Sequence, residues 1–465
     1  MHSPYRGRPD FRKRMTESAG TQREMSDPEA SDTIFAPATA AGRAAIAVLR
    51  LSGPESRHAV SVLTGSVPPP RFARRTRFVD PATGEWLDDG LVLWFPGPNS
   101  ATGEDVAELH VHGSRAVLTA VMRALAGLGL RFAEPGEFTR RAFLNGKLDL
   151  LQAEAIADLA AAETEAQRRQ ALRQLDGELG GLYRGWRDRL TRSLAHLEAA
   201  IDFPDEDLPP EIEDRLLDET EALVAEIERH LADGHRGERL RDGIMVAIVG
   251  PPNAGKSSLL NRIARREAAI TSPIAGTTRD IVEVAIDLQG YPVVLADTAG
   301  LRDSEDVVEQ EGLRRALMRA DEAEIRLFVF DTRCPGEACG ASAWPGSDTL
   351  LVANKIDLGS PRGDLPSPAW PISALTGEGI EALLSTLGER VAQRYVMESP
   401  VLTRARHRQA LDDATQSLRR ALGAPLPELR AEDLRLALRS LGRITGAVDV
   451  EDLLDVIFRD FCIGK

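Results

Sequence analysis

Residues 250–257 read Gly-Pro-Pro-Asn-Ala-Gly-Lys-Ser, with the apolar run Ile244-Met-Val-Ala-Ile-Val249 before them and the helix-compatible Ser258-Leu-Leu-Asn-Arg-Ile263 after them. A strand, a glycine-rich loop and a helix in that order commit this part of the chain to an α/β fold with a phosphate site at the strand end. Glycines let the backbone curl so that successive N–H groups face phosphate oxygens. The helix N-terminus adds positive potential. Asn253, Ala254, Gly255, Lys256, Ser257 and Ser258 are the expected phosphate contacts. Lys256 is placed to reach the β- and γ-phosphates and Ser257 to bind Mg²⁺. An ordinary Gly/Pro turn would not need this frame.

Later segments select the base. The strand-like Pro292-Val-Val-Leu-Ala296 ends in Asp297-Thr298-Ala299-Gly300. A carboxylate there can hold the Mg²⁺ shell, and Gly300 leaves an N–H for a γ-phosphate oxygen. The apolar Ile325-Arg-Leu-Phe-Val-Phe330 is a third strand, and Leu350-Leu-Val-Ala353 a fourth that ends in Asn354-Lys355-Ile-Asp357. Asp357 can accept both N1–H and N2–H of guanine, a donor pair that adenine lacks. Asn354 can face the purine N7/O6 edge and Lys355 can stack along the base. Ser373-Ala374-Leu375 follows another short strand, where a backbone N–H can meet O6. Each short motif is weak alone; their order and strand-end placement point to GTP.

A first switch segment is expected around Gly276-Thr277-Thr278-Arg279-Asp280. One of its two threonines supplies the second protein ligand of Mg²⁺, and Thr278 is the better choice. The glutamine that orients the attacking water in Ras-like proteins is replaced by Leu301. A leucine neither donates nor accepts, so water positioning and charge compensation come from elsewhere. Glu309, Glu311, Arg279, Arg302 or a bound cation are the candidates.

At 465 residues, with 43% hydrophobic and 28% charged residues, two to three domains of an ordinary soluble protein are expected. No run approaches membrane-spanning length. Cys334, Cys339 and Cys462 form no zinc or disulfide pattern, which suits a reducing cytoplasm. The net charge of −15 argues against a surface that grips nucleic acid all over. Local basic clusters occur at Arg71, Arg74, Arg75 and Arg77 and at Arg404, Arg406, His407 and Arg408; they read as solvated faces before nucleic-acid contacts. The polar first 31 residues read as a disordered tail, and Met15 or Met25 is an alternative start.

Residues 32–146 alternate short apolar strands (Ala45–Leu49, Gly90–Trp94, Ala107–Val111) with a helical stretch at Ser114–Leu128, an α+β pattern. From 147 to 240 the composition turns to Ala, Leu, Glu, Arg and Gln with helical periodicity, broken by the prolines at 204–210. The G domain is expected at 241–395, and helical patterning returns over 396–465. The fold class expected is a multidomain α/β protein: a Ras-like P-loop G domain inserted in an all-α helical domain, preceded by an α+β domain. His110 and His112 lack further ligands at metal spacing and are read as ordinary strand residues.

Set beside these motifs, Arg50-Leu-Ser-Gly53, Phe95-Pro-Gly-Pro-Asn-Ser100, Pro135-Gly-Glu-Phe138, Ala142-Phe-Leu-Asn-Gly-Lys-Leu-Asp149, Ile201-Asp-Phe-Pro204 and the terminal Phe461-Cys-Ile-Gly-Lys465 complete a set. The chain from about residue 32 onward closely resembles the MnmE (TrmE) family of tRNA uridine-modification GTPases. The resemblance implies a folate-binding N-terminal domain that dimerises and takes 5-formyl- or methylene-tetrahydrofolate, with Arg50, Glu108, Lys147 and Lys465 at its contact positions. It implies a water-orienting glutamate at Glu309. It implies K⁺ beside the phosphates, with Asn253 as a side-chain ligand and Ser272, Ile274 and Thr277, which with Gly276 also line the nucleotide, supplying oxygens. Cys462 matches the family's C-terminal cysteine, a catalytic candidate; a small buried thiol is the plain alternative. The implied partners are a second copy and the FAD-containing MnmG (GidA), in a heterotetramer or larger, with tRNA contacted mainly through that partner. No membrane is implied. The competing reading is a ribosome-assembly GTPase switch without modification chemistry, which leaves the Phe95–Ser100 and Ala142–Asp149 motifs without a purpose.

Overall fold

The computed structural model describes residues 32–202, 211–266, 283–297, 321–343, 348–359, 363–396, 400–448, 454, 457–459, 461, 462 and 464. The expectations for residues 1–31, Ser272, Ile274, Gly276, Thr277, Thr278, Arg279, Thr298, Ala299, Gly300, Leu301, Arg302, Glu309, Glu311 and Lys465 lie outside the described residues. The chain forms two compact units, Met1–Lys147 with Val456–Lys465, and Leu148–Asp455.

The first unit is built on β1 (Ile34–Pro37), β2 (Ile46–Ser52), α1 (Ser56–Thr64), β3 (Arg74–Val79), β4 (Trp86–Phe95), β5 (Val106–His112), α2 (Arg115–Gly127), β6 (Arg131–Phe132) and α3 (Glu137–Leu144). The sheet order is β3-β4-β5-β2-β1-β6, antiparallel except for β1 with β6. Alternation along β2 sends Ala47, Leu49 and Leu51 into a core shared with α1 and α2. It leaves Arg50 on the opposite face, across from Glu108 of β5. The arginines of β3 keep its free edge charged, which discourages further strand pairing.

The segment after residue 455 groups with this unit. Phe458 and Phe461 are buried. The Gly136 N–H donates to the Cys462 carbonyl at 3.4 Å. At Gly136 (φ +70°) a Cβ would stand 2.8 Å from the Phe458 carbonyl, so only glycine admits the approach.

In the second unit, α4 (Leu150–Ala161) and α5 (Glu165–Leu175) each begin with a capping box, Asp149 with Gln152 and Thr164 with Gln167. Then come α6 (Glu178–Asp202), α7 (Glu211–Leu231) and α8 (Arg236–Asp242). A second sheet follows: β7 (Ile244–Val249), α9 (Lys256–Arg266), β8 (Glu283–Leu288), β9 (Tyr291–Asp297), β10 (Ile325–Asp331), β11 (Thr349–Asn354), β12 (Ala369–Pro371) and α10 (Ile380–Arg394). Helices α11 (Ala405–Gly423) and α12 (Pro427–Thr445) come last. One hydrophobic core joins Leu190, Leu223 and Ile227 to Leu411, Leu418, Leu434 and Leu441, residues from both sides of the sheet segment in sequence.

The second sheet has the order β12-β11-β10-β7-β9-β8. All its pairings are parallel but β8 with β9. Near-continuous apolar strands such as Ile-Met-Val-Ala-Ile-Val are what a sheet covered on both faces requires, and separate apolar clusters do cover the two faces. Strand order reverses around β7, which puts the loop after β7 at the crevice where such sheets bind ligands.

Candidate functional site

The loop between β7 and α9 adopts the expected curl. Gly250 (φ +139°) passes so close to β10 that a Cβ would lie 2.0 Å from the Val329 carbonyl. Asn253 (φ +62°) is left-handed without being glycine, and its side chain is exposed, with no hydrogen bond among the described residues. Ser257 and Ser258 are exposed in the first turn of α9, where free N–H groups and the helix dipole favour an anion. Ala254 is buried beneath.

Lys256 folds back over its own loop, Nζ donating to the Gly250 and Pro251 carbonyls at 2.9 Å each. Burial pushes its ammonium below the usual lysine range, and Asp297 pulls it back up. Asp297, at the end of β9, is buried, and its Oδ1 has no hydrogen-bond partner among the described residues. A buried carboxylate oxygen left without a donor is costly unless a cation or its water shell takes it up. The residues present therefore fit Mg²⁺.

The loop after β11, where base recognition is expected, is braced from several sides. Asn354 is buried; its Nδ2 donates to the Ala254 carbonyl at 2.8 Å and its Oδ1 accepts from the Ala374 N–H at 3.0 Å. Both halves of the amide are thus engaged within the protein. Asn354 braces the loop, and its second Nδ2 proton stays free of these two bonds. Asp357 is exposed and its Oδ1 accepts from Ser373 Oγ at 2.5 Å, which aims the carboxylate and leaves its other oxygen available. Ser373 Oγ in turn accepts from the Thr376 N–H at 3.0 Å. The Ser373 and Ala374 N–H groups are both bonded within the protein. The Leu375 N–H has no partner among the described residues. Arg262 of α9 donates to the Ala374 carbonyl at 3.0 Å, tying this loop to the phosphate helix. Lys355 is held by Asp331, the residue after the apolar run of β10, at 3.0 Å. Sequence reasoning passed over Asp331; a carboxylate ending an otherwise apolar strand was the available signal.

In the N-terminal unit, Arg50 Nη2 lies 2.9 Å from Glu108 Oε1 and its guanidinium 5.9 Å from the Phe138 ring centroid. Glu108 Oε2 faces His110 Nε2 at 3.4 Å. Lys147 Nζ donates to the Pro98 carbonyl at 2.9 Å. Arg50 and Glu108 are thus brought together, whereas Lys147 is engaged elsewhere on the unit. Cys462 is exposed, so the buried-thiol alternative does not hold. The second basic cluster is not a free surface: Arg406 and the fully buried His407 hold Glu154, Arg404 reaches Asp158, and Arg408 reaches Asp233. Of the first cluster, Arg75 pairs with Asp89 at 3.0 Å and Arg77 stacks 4.2 Å from the Trp86 ring. Among the described residues no helix is long and apolar enough to cross a membrane.

Two family models match this chain, "MnmE helical domain" over residues 150–462 and "GTP-binding protein TrmE N-terminus" over residues 33–147. Among curated proteins, the tRNA modification GTPase MnmE of Parvibaculum lavamentivorans is 60% identical, the alignment covering 93% of this chain and 100% of that protein. The protein of the same name from Rhodospirillum rubrum is 58% identical, with 93% and 99% covered. That from Paramagnetospirillum magneticum is 59% identical, with 94% and 100% covered.

Proposed function

Because the chain belongs to the MnmE family of tRNA modification GTPases, we propose that it hydrolyses GTP in the pathway that modifies C5 of the wobble uridine in tRNA. The observation that carries the GTP site is the convergence, at the C-terminal ends of β7, β9 and β11, of a phosphate loop, an unpartnered buried Asp297 oxygen and an Asp357 carboxylate aimed by Ser373. Backbone N–H groups of residues 253–258 and Lys256 bind the phosphates. Lys256 exchanges two loop carbonyls for phosphate oxygens, which carry more negative charge. Asp357 and the Leu375 N–H orient guanine. Ser257 and Thr278 would hold Mg²⁺ with Asp297 behind its water shell, and the ion would neutralise charge on the β- and γ-phosphates. Glu309 orients the attacking water.

The finer reading continues in the same terms. K⁺ binds beside the phosphates through Asn253 and oxygens of Ser272, Ile274 and Thr277; the exposed, unbonded amide of Asn253 supports this. The N-terminal unit binds 5-formyl- or methylene-tetrahydrofolate through Arg50, Glu108, Lys147 and Lys465, a reading supported by the adjacency of the first two. Cys462 serves the modification reaction, and its exposure agrees with that. The G domain is inserted in the helical domain, as the shared core from both sides of it suggests. The protein works in the cytoplasm as a homodimer with the FAD-containing MnmG, which carries most of the tRNA contact. The ion-paired state of the second arginine cluster favours that division of labour. A ribosome-assembly switch gives no account of the N-terminal unit.

Nucleoside analysis of tRNA from a strain lacking this gene tests the function. Loss of the C5 modification with normal ribosomal subunits is expected; intact modification with defective subunits would overturn the reading.

A further inference from the structure

Strand β10 ends in Asp331, whose side chain is 10% exposed beside the base-recognition loop. Its Oδ2 accepts from Lys355 Nζ at 3.0 Å. From the other side Arg333 closes on it, Nη2 to Oδ2 at 2.7 Å, Nε to Oδ1 at 3.0 Å and backbone N–H to Oδ1 at 2.9 Å. Arg333 first, then Lys355, hold the carboxyl well below the usual aspartate range despite its burial. The backbone is fastened at the same place: β10 and β11 pair Asp331 with Asn354, and the Thr332 N–H donates to the Asn354 carbonyl at 3.0 Å. Lys355 itself sits at φ +72°, a left-handed conformation that a non-glycine residue keeps only when its surroundings fix it.

We propose that Asp331 is a positioning residue for the guanine base, acting through Lys355. It fixes the ammonium at the tip, so the aliphatic stem is stretched across the place where the purine lies. A long side chain anchored before binding has less rotamer freedom to lose on binding. Arg333 balances the carboxylate, so the anchor does not repel the nucleotide's own negative charge. The proposal rests on reading Asn354–Asp357 as the guanine loop.

The test uses the full chain and measures Kd for GTP, GDP and ATP together with KM and kcat for GTP hydrolysis. Asp331→Asn is expected to weaken GTP and GDP binding about three- to tenfold, the scale of one side chain that must be ordered on binding. KM rises with it while kcat at saturating GTP holds. Lys355→Met, which keeps the stem and removes the anchor point, is expected to lose a similar amount. The double variant is expected to lose no more than either single one. Additive losses in the double variant, or unchanged Kd in a folded Asp331→Asn, overturn the proposal. If Asp331→Asn does not fold, Lys355→Met decides alone, and an unchanged Kd overturns the proposal. A wild-type chain that does not prefer GTP to ATP would instead sink the guanine reading beneath it.

Discussion

The side-chain amide of Asn354 donates to the Ala254 carbonyl across 2.8 Å, joining the loop proposed to read the base to the loop proposed to grip the phosphates. The approach depends on Gly255, where a Cβ would lie 2.2 Å from Asn354 Nδ2. Nucleotide affinity is therefore a property of two loops held as one piece.

Asn354→Ala strands the Ala254 carbonyl and the Ala374 N–H, each at a cost of about 1–3 kcal/mol when buried. A lowered melting temperature and weaker GTP binding are expected together. Calorimetry on the purified variant checks both, and a loss of affinity without any loss of stability would contradict the bracing role.

Asp357→Asn exchanges a double acceptor for an amide that can donate to the 2-oxo group of xanthine. Preference should move from GTP toward XTP. Competition binding with the two nucleotides measures it; undiminished GTP affinity would remove Asp357 from the base site.

Glu309→Ala should leave GTP binding near normal and slow hydrolysis by roughly 10²–10⁴, the usual contribution of a positioned general base. Single-turnover kinetics separate the two effects. Normal hydrolysis would transfer the role to Glu311 or to an arginine.

Asn253 bears on the cation. A cage of protein oxygens sized for K⁺ rejects the smaller Na⁺, whereas an arginine would not distinguish them. GTPase activity is expected in KCl and not in NaCl at matched ionic strength, with Asn253→Ala abolishing the dependence or the activity. Equal wild-type rates in the two salts would return Arg279 and Arg302 to consideration.

His407 gives the helical core an acid-sensitive element. It is fully buried, and its Nε2–H donates to Glu154 Oε2 at 2.9 Å while Nδ1 has no partner among the described residues. Burial first, then Arg406, lowers its pKa from 6.5 to about 4. Burial works against the Glu154 carboxylate too, but His407 and Arg406 outweigh it and hold that group below its usual range. The unfolded chain then takes up a proton at residue 407 that the folded one refuses, so stability falls as pH drops from about 6.5 toward 4. Denaturant unfolding at pH 7 and 5 should show a smaller acid loss in His407→Gln than in wild type; parallel losses would contradict it.

Much of this architecture was legible. The run Ile244–Val249 is β7 residue for residue, and the expected Ala107–Val111 and Ser114–Leu128 lie within or about β5 and α2. Strand β3 was not legible, because Arg-Arg-Thr-Arg-Phe-Val carries an edge strand's charges in place of an apolar alternation. The bracing bonds of Asn354 to Ala254 and Ala374 were not legible either, since a motif gives a residue's place but not its neighbours in other loops. Phe461 lay in the stretch over 396–465 where helical patterning returns. Periodicity says that a face is buried without saying in which core.

Val456–Lys465 belongs with Met1–Lys147 across the whole of Leu148–Asp455. During synthesis the N-terminal sheet can form early, but the surface around Gly136 that receives Phe458 and Phe461 stays uncovered until the ribosome has finished everything between. Maturation of that unit is thus timed by translation of the other. A message cut short just after α12 would yield a chain with its helical core complete yet left with an open apolar seam, the kind of defect that quality-control proteases recognise.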